Sequence, residues 1–272
     1  MVAIAFIGIL SLIGLYRMDA FKTIENNTPE SCRALIMDGS AEDIEIDYER
    51  GYAYLSIQDR AALIRGEMVQ GRIVKINLNK KPYEITSALN EQPEHLRPHG
   101  ISLHIDDKGK RHLAVINHPK NRGLEPENVD LFSEENNGIF KYITTISDPL
   151  FKSPNDLLLV SKNQFYVGND KGGETSLDKI QENLGRPMSN IAYFDGNSTS
   201  VAARNLSQVS GINISKDQNL IFASETTAKR ISVFHRNMDN GTLKKIHRIK
   251  LDGSPDNINV SEDNSLVVAT IP

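Results

Sequence analysis

The residues best suited to chemistry in this chain stand in a repeated relation to short apolar segments. Glu42-Asp43 precedes Ile44-Glu45-Ile46, His99-Gly100 precedes Ile101-Ser102-Leu103, and Asn155-Asp156 precedes Leu157-Leu158-Leu159. Asn213 lies within Gly211-Ile212-Asn213-Ile214-Ser215, and Asp256-Asn257 precedes Ile258-Asn259-Val260. Counted at Asp43, His99, Asn155, Asn213 and Asp256, the steps are 56, 56, 58 and 43 residues. Propeller blades repeat at roughly 40 to 50 residues, and the first strand of each blade lines the central channel. Side chains at the starts of successive inner strands would therefore converge on the axis. Carboxylates and amides gathered there make a hard, oxygen-rich site of the kind calcium takes. Any one Asn or Asp before a strand reads as a turn former, and a lone His as structural. It is the recurrence at blade-like steps that argues for a site.

The elements that would position these residues are short strands. Ile44-Glu45-Ile46-Asp47, Ile101-Ser102-Leu103-His104-Ile105 and Ile258-Asn259-Val260 alternate with period two, the pattern of a half-buried strand. Leu113-Ala114-Val115-Ile116 and Leu157-Leu158-Leu159-Val160 are fully apolar, as in strands covered on both faces. Asp38-Gly39, Asp195-Gly196, Asn240-Gly241 and Asp252-Gly253 punctuate them as turns. Leu177, Ile180 and Leu184 recur at helical spacing before Gly185 and Pro187, predicting one helix. The expected class is all-β.

Composition narrows the function. The chain has 272 residues, long enough for a large core, with 31 Lys+Arg against 35 Asp+Glu. No basic surplus exists to neutralise a phosphate backbone, so no nucleic-acid partner is expected. One cysteine, Cys32, rules out an internal disulfide and a Cys-rich zinc site. No Gly-x-Ser-x-Gly elbow occurs, which argues against serine-hydrolase chemistry. Val2 to Tyr16 is almost wholly apolar and shorter than a comfortable bilayer span. Residues 1–20 are read as a signal peptide or an uncleaved signal-anchor. That implies the secretory pathway, with an extracellular or membrane-anchored protein on the lumenal side and membrane or lipoprotein association through this segment. Sequons stand at Asn26, Asn197, Asn205, Asn213, Asn240 and Asn259.

At these same residues the sequence resembles the paraoxonase/arylesterase family of calcium-dependent lactonases, from about Cys32 to Pro272. Gly39-Ser40-Ala41-Glu42-Asp43-Ile44 resembles the family's first metal motif, with one residue inserted before the acidic pair. Arg97-Pro98-His99-Gly100-Ile101-Ser102, Ile116-Asn117-His118-Pro119, Pro154-Asn155-Asp156, Phe165-Tyr166 with Gly168-Asn169-Asp170, Gly211-Ile212-Asn213-Ile214-Ser215 and Asp256-Asn257-Ile258 follow in the family's order. The resemblance implies a six-bladed β-propeller over residues 30–272. It implies two calcium ions. The catalytic one would be held by Glu42, Asn155, Asn213, Asp256 and Asn257, and the structural one by Asp43, the Ile101 carbonyl and Asp156. Five side chains leave room for water and substrate in calcium's shell of about six to eight oxygens.

The implied activity is hydrolysis of aryl esters and lactones, with organophosphate esters as promiscuous substrates. Calcium would polarise the carbonyl and stabilise the oxyanion. His99 would take a proton from the attacking water and His118 would orient it or relay the proton. Glu42 or Asp256 stands as an alternative base or nucleophile. The alternative function is a non-catalytic, calcium-stabilised propeller that binds a partner, although a pure scaffold would not need both histidines.

Three departures carry further expectations. The sequence given stops at Pro272, just past the motif that opens an inner strand, so the ring is expected to be incomplete in its last blade, with a sheet edge exposed near Val267. Cys32 matches a family cysteine whose partner lies near the family's C-terminus, and is expected to be unpaired. The stretch Leu177 to Ser189 corresponds to a lid and membrane-facing region that is apolar in the family, and Arg186 and Pro187 here argue against lipid binding through it.

Overall fold

The computed structural model describes residues 30–271 apart from Met68, together with Gly8, Leu12, Leu15, Phe21 and Thr23. The signal or anchor expected at 1–20, as a segment, and the sequon at Asn26 lie outside the described residues. None of the described helices is long and apolar enough to cross a membrane.

The described residues form five up-and-down antiparallel sheets, four of them four-stranded. The first contains β1 (Ser40–Asp47), β2 (Tyr52–Gln58), β3 (Arg72–Asn77) and β4 (Ile85–Ser87). The second contains β5 (Pro98–Ile105), β6 (Arg111–Asn117), β7 (Asn128–Asn136) and β8 (Ile139–Ser147). The third contains β9 (Pro154–Ser161), β10 (Gln164–Asn169), β11 (Ser189–Phe194) and β12 (Thr199–Leu206). The fourth contains β13 (Val209–Ile214), β14 (Leu220–Glu225), β15 (Arg230–Arg236) and β16 (Leu243–Lys250). The fifth pairs β17 (Ser254–Val260) with β18 (Leu266–Ile271) alone.

The architecture is propeller-like. The first strands of consecutive sheets, β1, β5, β9, β13 and β17, contact one another in sequence. Asn257 and Asn259 of β17 then donate through Nδ2 to the carbonyls of Glu42 and Ile44 in β1, at 2.8 and 3.0 Å. The inner strands of the first and fifth sheets therefore touch. A sixth sheet is not among the described residues. Val267, in the outer strand of the two-stranded sheet, is 60% exposed, as expected for an edge.

Apolar side chains fill the spaces between sheets. Tyr54, Ile73, Leu113 and Phe132 pack between the first and second, and Ile116, Leu157, Leu159 and Phe165 between the second and third. Leu158, Ile191, Ile212 and Phe234 pack between the third and fourth. Leu113–Ile116 and Leu157–Val160 are buried on both faces, matching their unbroken apolar runs. Tight turns link the strands: Asn137 and Gly138, both at positive φ (45° and 75°), close the β7–β8 hairpin.

Among the described residues two α-helices lie between strands of the sheets. α1 (Arg60–Ile64) follows β2 and is N-capped by Asp59, whose Oδ1 accepts from Ala62 N–H. α2 (Ser176–Asn183) starts on a reciprocal capping box between Thr175 and Asp178. Its helical spacing is as the sequence predicts, but Leu177, Ile180 and Leu184 face solvent.

Candidate active site

All five marker motifs fall on the inner strands. Asp43 and Asp156 perform the same task two sheets apart. Asp43 Oδ1 accepts from Ile44 N–H and its Oδ2 from Ile101 N–H on β5, both at 2.8 Å. Asp156 Oδ1 accepts from Leu157 N–H at 2.8 Å and its Oδ2 from Ile212 N–H on β13 at 2.7 Å. Each buried carboxylate thus ties its own strand to the inner strand of the next sheet. Asn213 continues the series: Ile214 N–H donates to its Oδ1, and its Nδ2 donates to the Ile258 carbonyl on β17, both at 2.8 Å.

Glycines allow the strands to come this close. A Cβ on Gly100 would stand 2.7 Å from the Asn155 carbonyl oxygen and from Asp156 Cα. On Gly211 it would stand 2.3 Å from the Asp256 carbonyl oxygen. Real Cβ atoms do not approach so near, so the glycines within Pro-His-Gly-Ile-Ser and Gly-Ile-Asn-Ile-Ser are packing requirements.

The carboxylates crowd one another. Burial, then the neighbouring Asp43 and Asp256, push the Glu42 carboxyl up to about 8, against the opposing pull of Arg60. Burial raises Asp43 to about 6 although two amides hydrogen-bond it. Asp156 lies well above the carboxylate range because of burial and then Asp43, and Asp256 is raised chiefly by burial. Glu45, two residues along β1, is likewise raised by burial and then by Asp43. A region that holds this many carboxylates at a cost is one that a cation would relieve.

The donor set fits a hard cation in one further respect. Glu42 Oε2 and Asn155 Oδ1 are buried oxygens without a hydrogen-bond partner. Among the described residues no three His, Cys, Asp or Glu side chains converge on a single point. A metal here would thus depend on the asparagine amides.

The two histidines meet. The rings of His99 (β5) and His118, which follows β6, have centroids 4.8 Å apart. His99 Nε2 lies 3.3 Å from Glu42 Oε1. Arg60 Nη2 lies 3.1 Å from His99 Nδ1 and 3.4 Å from Glu42 Oε1. A guanidinium only donates, so His99 Nδ1 is the acceptor and the neutral ring carries its proton on Nε2, facing Glu42. His99 is held well below the usual imidazole range by burial, then by His118 and Arg60.

His118 Nδ1 lies 2.6 Å from Glu127 Oε2, and Arg122 Nε donates to Glu127 Oε1 at 2.8 Å. Burial lowers His118 while the Glu127 contact pulls it back up. Burial would raise Glu127, yet its bonds to His118 and Arg122 keep it below the carboxylate norm. His118 Nε2 is buried and has no partner. With Nδ1–H directed at an ionised carboxylate, Nε2 is left as an unengaged proton acceptor. His118 also borders a cleft of about 620 Å³ lined by Arg97, Asn117, Lys120 and Asn128.

The sequence reading thus has its ten residues placed, with His99 beside Glu42 and His118, and with Asp43 and Asp156 engaged as interstrand acceptors. Asp43 takes the Ile101 amide; the carbonyl of Ile101 was the expected ligand. Arg60, Arg122 and Glu127 were missed. Glu127 was within reach, because β6 pairs β7 with Asn117 opposite Asn128, which sets Glu127 beside His118. Nothing in the local sequence marks Arg60.

Comparison with known proteins bears on this constellation. The arylesterase family profile matches residues 37–272. The chain belongs to the arylesterase family. It is 27% identical to human serum paraoxonase/lactonase 3, covering 99% of this chain and 78% of the relative. It is also 27% identical to bovine serum paraoxonase/arylesterase 2, covering 93% and 72%. A solved structure of a functionally unknown protein from Desulfotomaculum acetoxidans superposes with a TM-score of 0.54 at 14% identity, covering 87% of this chain and 64% of that one. That last likeness concerns the fold alone.

Proposed function

We propose that this chain is a calcium-dependent hydrolase of aryl esters and lactones. The observation that carries the reading is the Glu42–His99–His118–Glu127 series: two imidazoles in tilted contact with a carboxylate at each end, in an acidic site on the inner strands of an arylesterase-family chain. Glu42, Asn155, Asn213, Asp256 and Asn257 would hold the catalytic ion, with the partnerless oxygens of Glu42 and Asn155 as support. A second ion at Asp43, Asp156 and the Ile101 carbonyl belongs to the same proposal, supported by the raised carboxyls of Asp43 and Asp156.

When bound, calcium would polarise the carbonyl and stabilise the oxyanion. The protein's own groups would manage the proton. His99 is neutral and can accept a proton from water, but burial makes its charged form costly to keep. His118 lies against it with Nε2 open, and ionised Glu127 would stabilise the cation that forms there. The proton would therefore pass from water to His99 and on to the His118–Glu127 pair. For His99 to accept it, Arg60 Nη2 must leave Nδ1.

The substrate would be a small neutral or anionic ester reaching His118 from the adjoining cleft. The names of the curated relatives place them in serum, and a secreted, glycosylated protein fits the apolar N-terminal sequence and the exposed sequons Asn197, Asn205 and Asn240. Asn213 and Asn259 would not carry glycan, since their Nδ2 atoms bond neighbouring strands. The test is hydrolysis of a panel of aryl esters and lactones with calcium and with a chelator. Turnover that is indifferent to chelation would refute the calcium part, and no turnover with any ester or lactone would refute the hydrolase.

A further inference from the structure

Arg60 is a site residue that no sequence motif accounts for. It opens α1 of the first sheet, its side chain is 46% exposed, and it reaches inward with Nη2 to Glu42 Oε1 and His99 Nδ1. Among the described residues its Nη1 and Nε have no acceptor. It is therefore anchored by one nitrogen at the edge of the site, with the rest of the guanidinium fork unused.

The two partners it holds are the two groups that hydrolysis needs released. His99 has a single lone pair as a neutral ring, and Arg60 occupies it. Glu42 is the carboxylate at which a metal would compete with the guanidinium. In either case Nη2 has to leave, and a half-exposed guanidinium leaving a carboxylate finds its best replacement in another carboxylate, bound through the fork. Asp59 beside it is committed to capping α1, and Asp256, which Arg60 also influences electrostatically, is itself a candidate metal ligand.

We propose that Arg60 is a specificity residue that recognises an anionic group on the substrate, so that the preferred substrates are esters or lactones bearing a carboxylate on the acyl side. This rests on the hydrolase reading for its catalytic consequence but not for the binding itself. An incoming carboxylate takes the guanidinium, His99 Nδ1 is freed in the same movement, and an anionic substrate therefore gains in kcat as well as in KM.

The experiment compares mono-4-nitrophenyl adipate with its neutral methyl ester on calcium-loaded protein, for the natural sequence and for R60A, R60K and R60E. The quantity read is the anionic-to-neutral ratio of kcat/KM within each protein, which cancels effects on machinery shared by both esters. A charge-assisted bond at a half-exposed site predicts that the ratio falls roughly tenfold in R60A, less in R60K, and below that of R60A in R60E. An unchanged ratio in R60A overturns the proposal. Calorimetric binding of hexanoate, which has a carboxylate but no ester to hydrolyse, is measured on the same proteins with melting curves to confirm that each is folded. If neither nitrophenyl ester is hydrolysed, the hydrolase reading fails, and this titration still decides on Arg60. Binding that is lost in R60A supports the anion site; binding that is absent, or equal in both proteins, removes it.

Discussion

Glu42 offers a stability experiment whose sign and size follow from its surroundings. Its carboxyl stands at about 8 in the folded protein, against 4.5 when exposed, because it is buried beside Asp43 and Asp256. Folding thus favours the protonated form. Below pH 4.5 the group is protonated folded and unfolded, and contributes no difference. As pH rises from 4.5 towards 8 the unfolded chain loses its proton while the folded chain keeps it, so stability falls throughout this window and levels off above it. The gap is worth about 5 kcal/mol at about 1.4 kcal/mol per pH unit, a large part of the roughly 5–15 kcal/mol that holds a typical domain. Asp43, raised to about 6, adds to the same slope at its lower end. Urea melts of chelated protein at intervals from pH 5 to pH 8 should therefore show a steady loss of stability. Added calcium should cancel much of it, and should bind more tightly as pH rises, since the ion competes with the proton. Glu42→Gln should flatten the chelated profile, leave the protein more stable than the natural sequence at pH 8 without calcium, and weaken the calcium effect. A chelated profile that is flat between pH 5 and 8 would refute this account of the acidic site, whatever calcium does.

The remaining expectations are narrower. Asp156→Ala leaves the Leu157 and Ile212 amides without their buried acceptor, at about 1–3 kcal/mol each, so its urea midpoint should fall and calcium should restore little; an unshifted midpoint would show that the staple between β9 and β13 contributes nothing. Gly211→Ala forces a methyl onto the Asp256 carbonyl and should cost about 1–3 kcal/mol while also reducing calcium-induced stabilisation, read from melts with and without the ion. His118→Gln should lower ester turnover roughly a hundredfold with calcium affinity nearly intact, and Glu127→Gln should do so less severely, with partial recovery in Glu127→Asp. Release of the metal by His118→Gln would assign the histidine to the ion's surroundings instead.

How much of this could be read from the sequence depended on whether a residue's partners lie along its own strand or across a gap. The inner strands were legible because every sheet repeats the same device, a polar group beside the apolar residues of its first strand. Asp43, His99, Asn155, Asn213 and Asp256 all fall on first strands for that reason. The buried runs of β6 and β9 were legible because continuous apolar sequence admits few other placements. The number of blades rests on the resemblance alone, since blade count is set by how sheets pack side by side; it implies six, and the described residues show five sheets. The task of Asp43 and Asp156 was half legible. Their convergence was expected, but an acceptor for the next sheet's amide can be recognised only once that sheet is in place.

Arg60 marks the limit most sharply. It lies 18 residues from Glu42 and 39 from His99, on a five-residue helix that no periodicity announces. Its position follows from the Asp59 cap, which sets the direction of the helix start, and from the length of an arginine side chain. A motif search reports what a fold needs repeatedly; a residue that reaches a site once, from a connection between strands, leaves no period to detect. Such residues are also the ones a scaffold can change without rebuilding its strands. Specificity in this chain is therefore to be sought at Arg60 and along the Arg97–Lys120 cleft rather than among the inner-strand asparagines. Asn213 and Asn257 are tied to the strand-to-strand hydrogen bonding that holds the sheets together, and are not free to vary with the substrate.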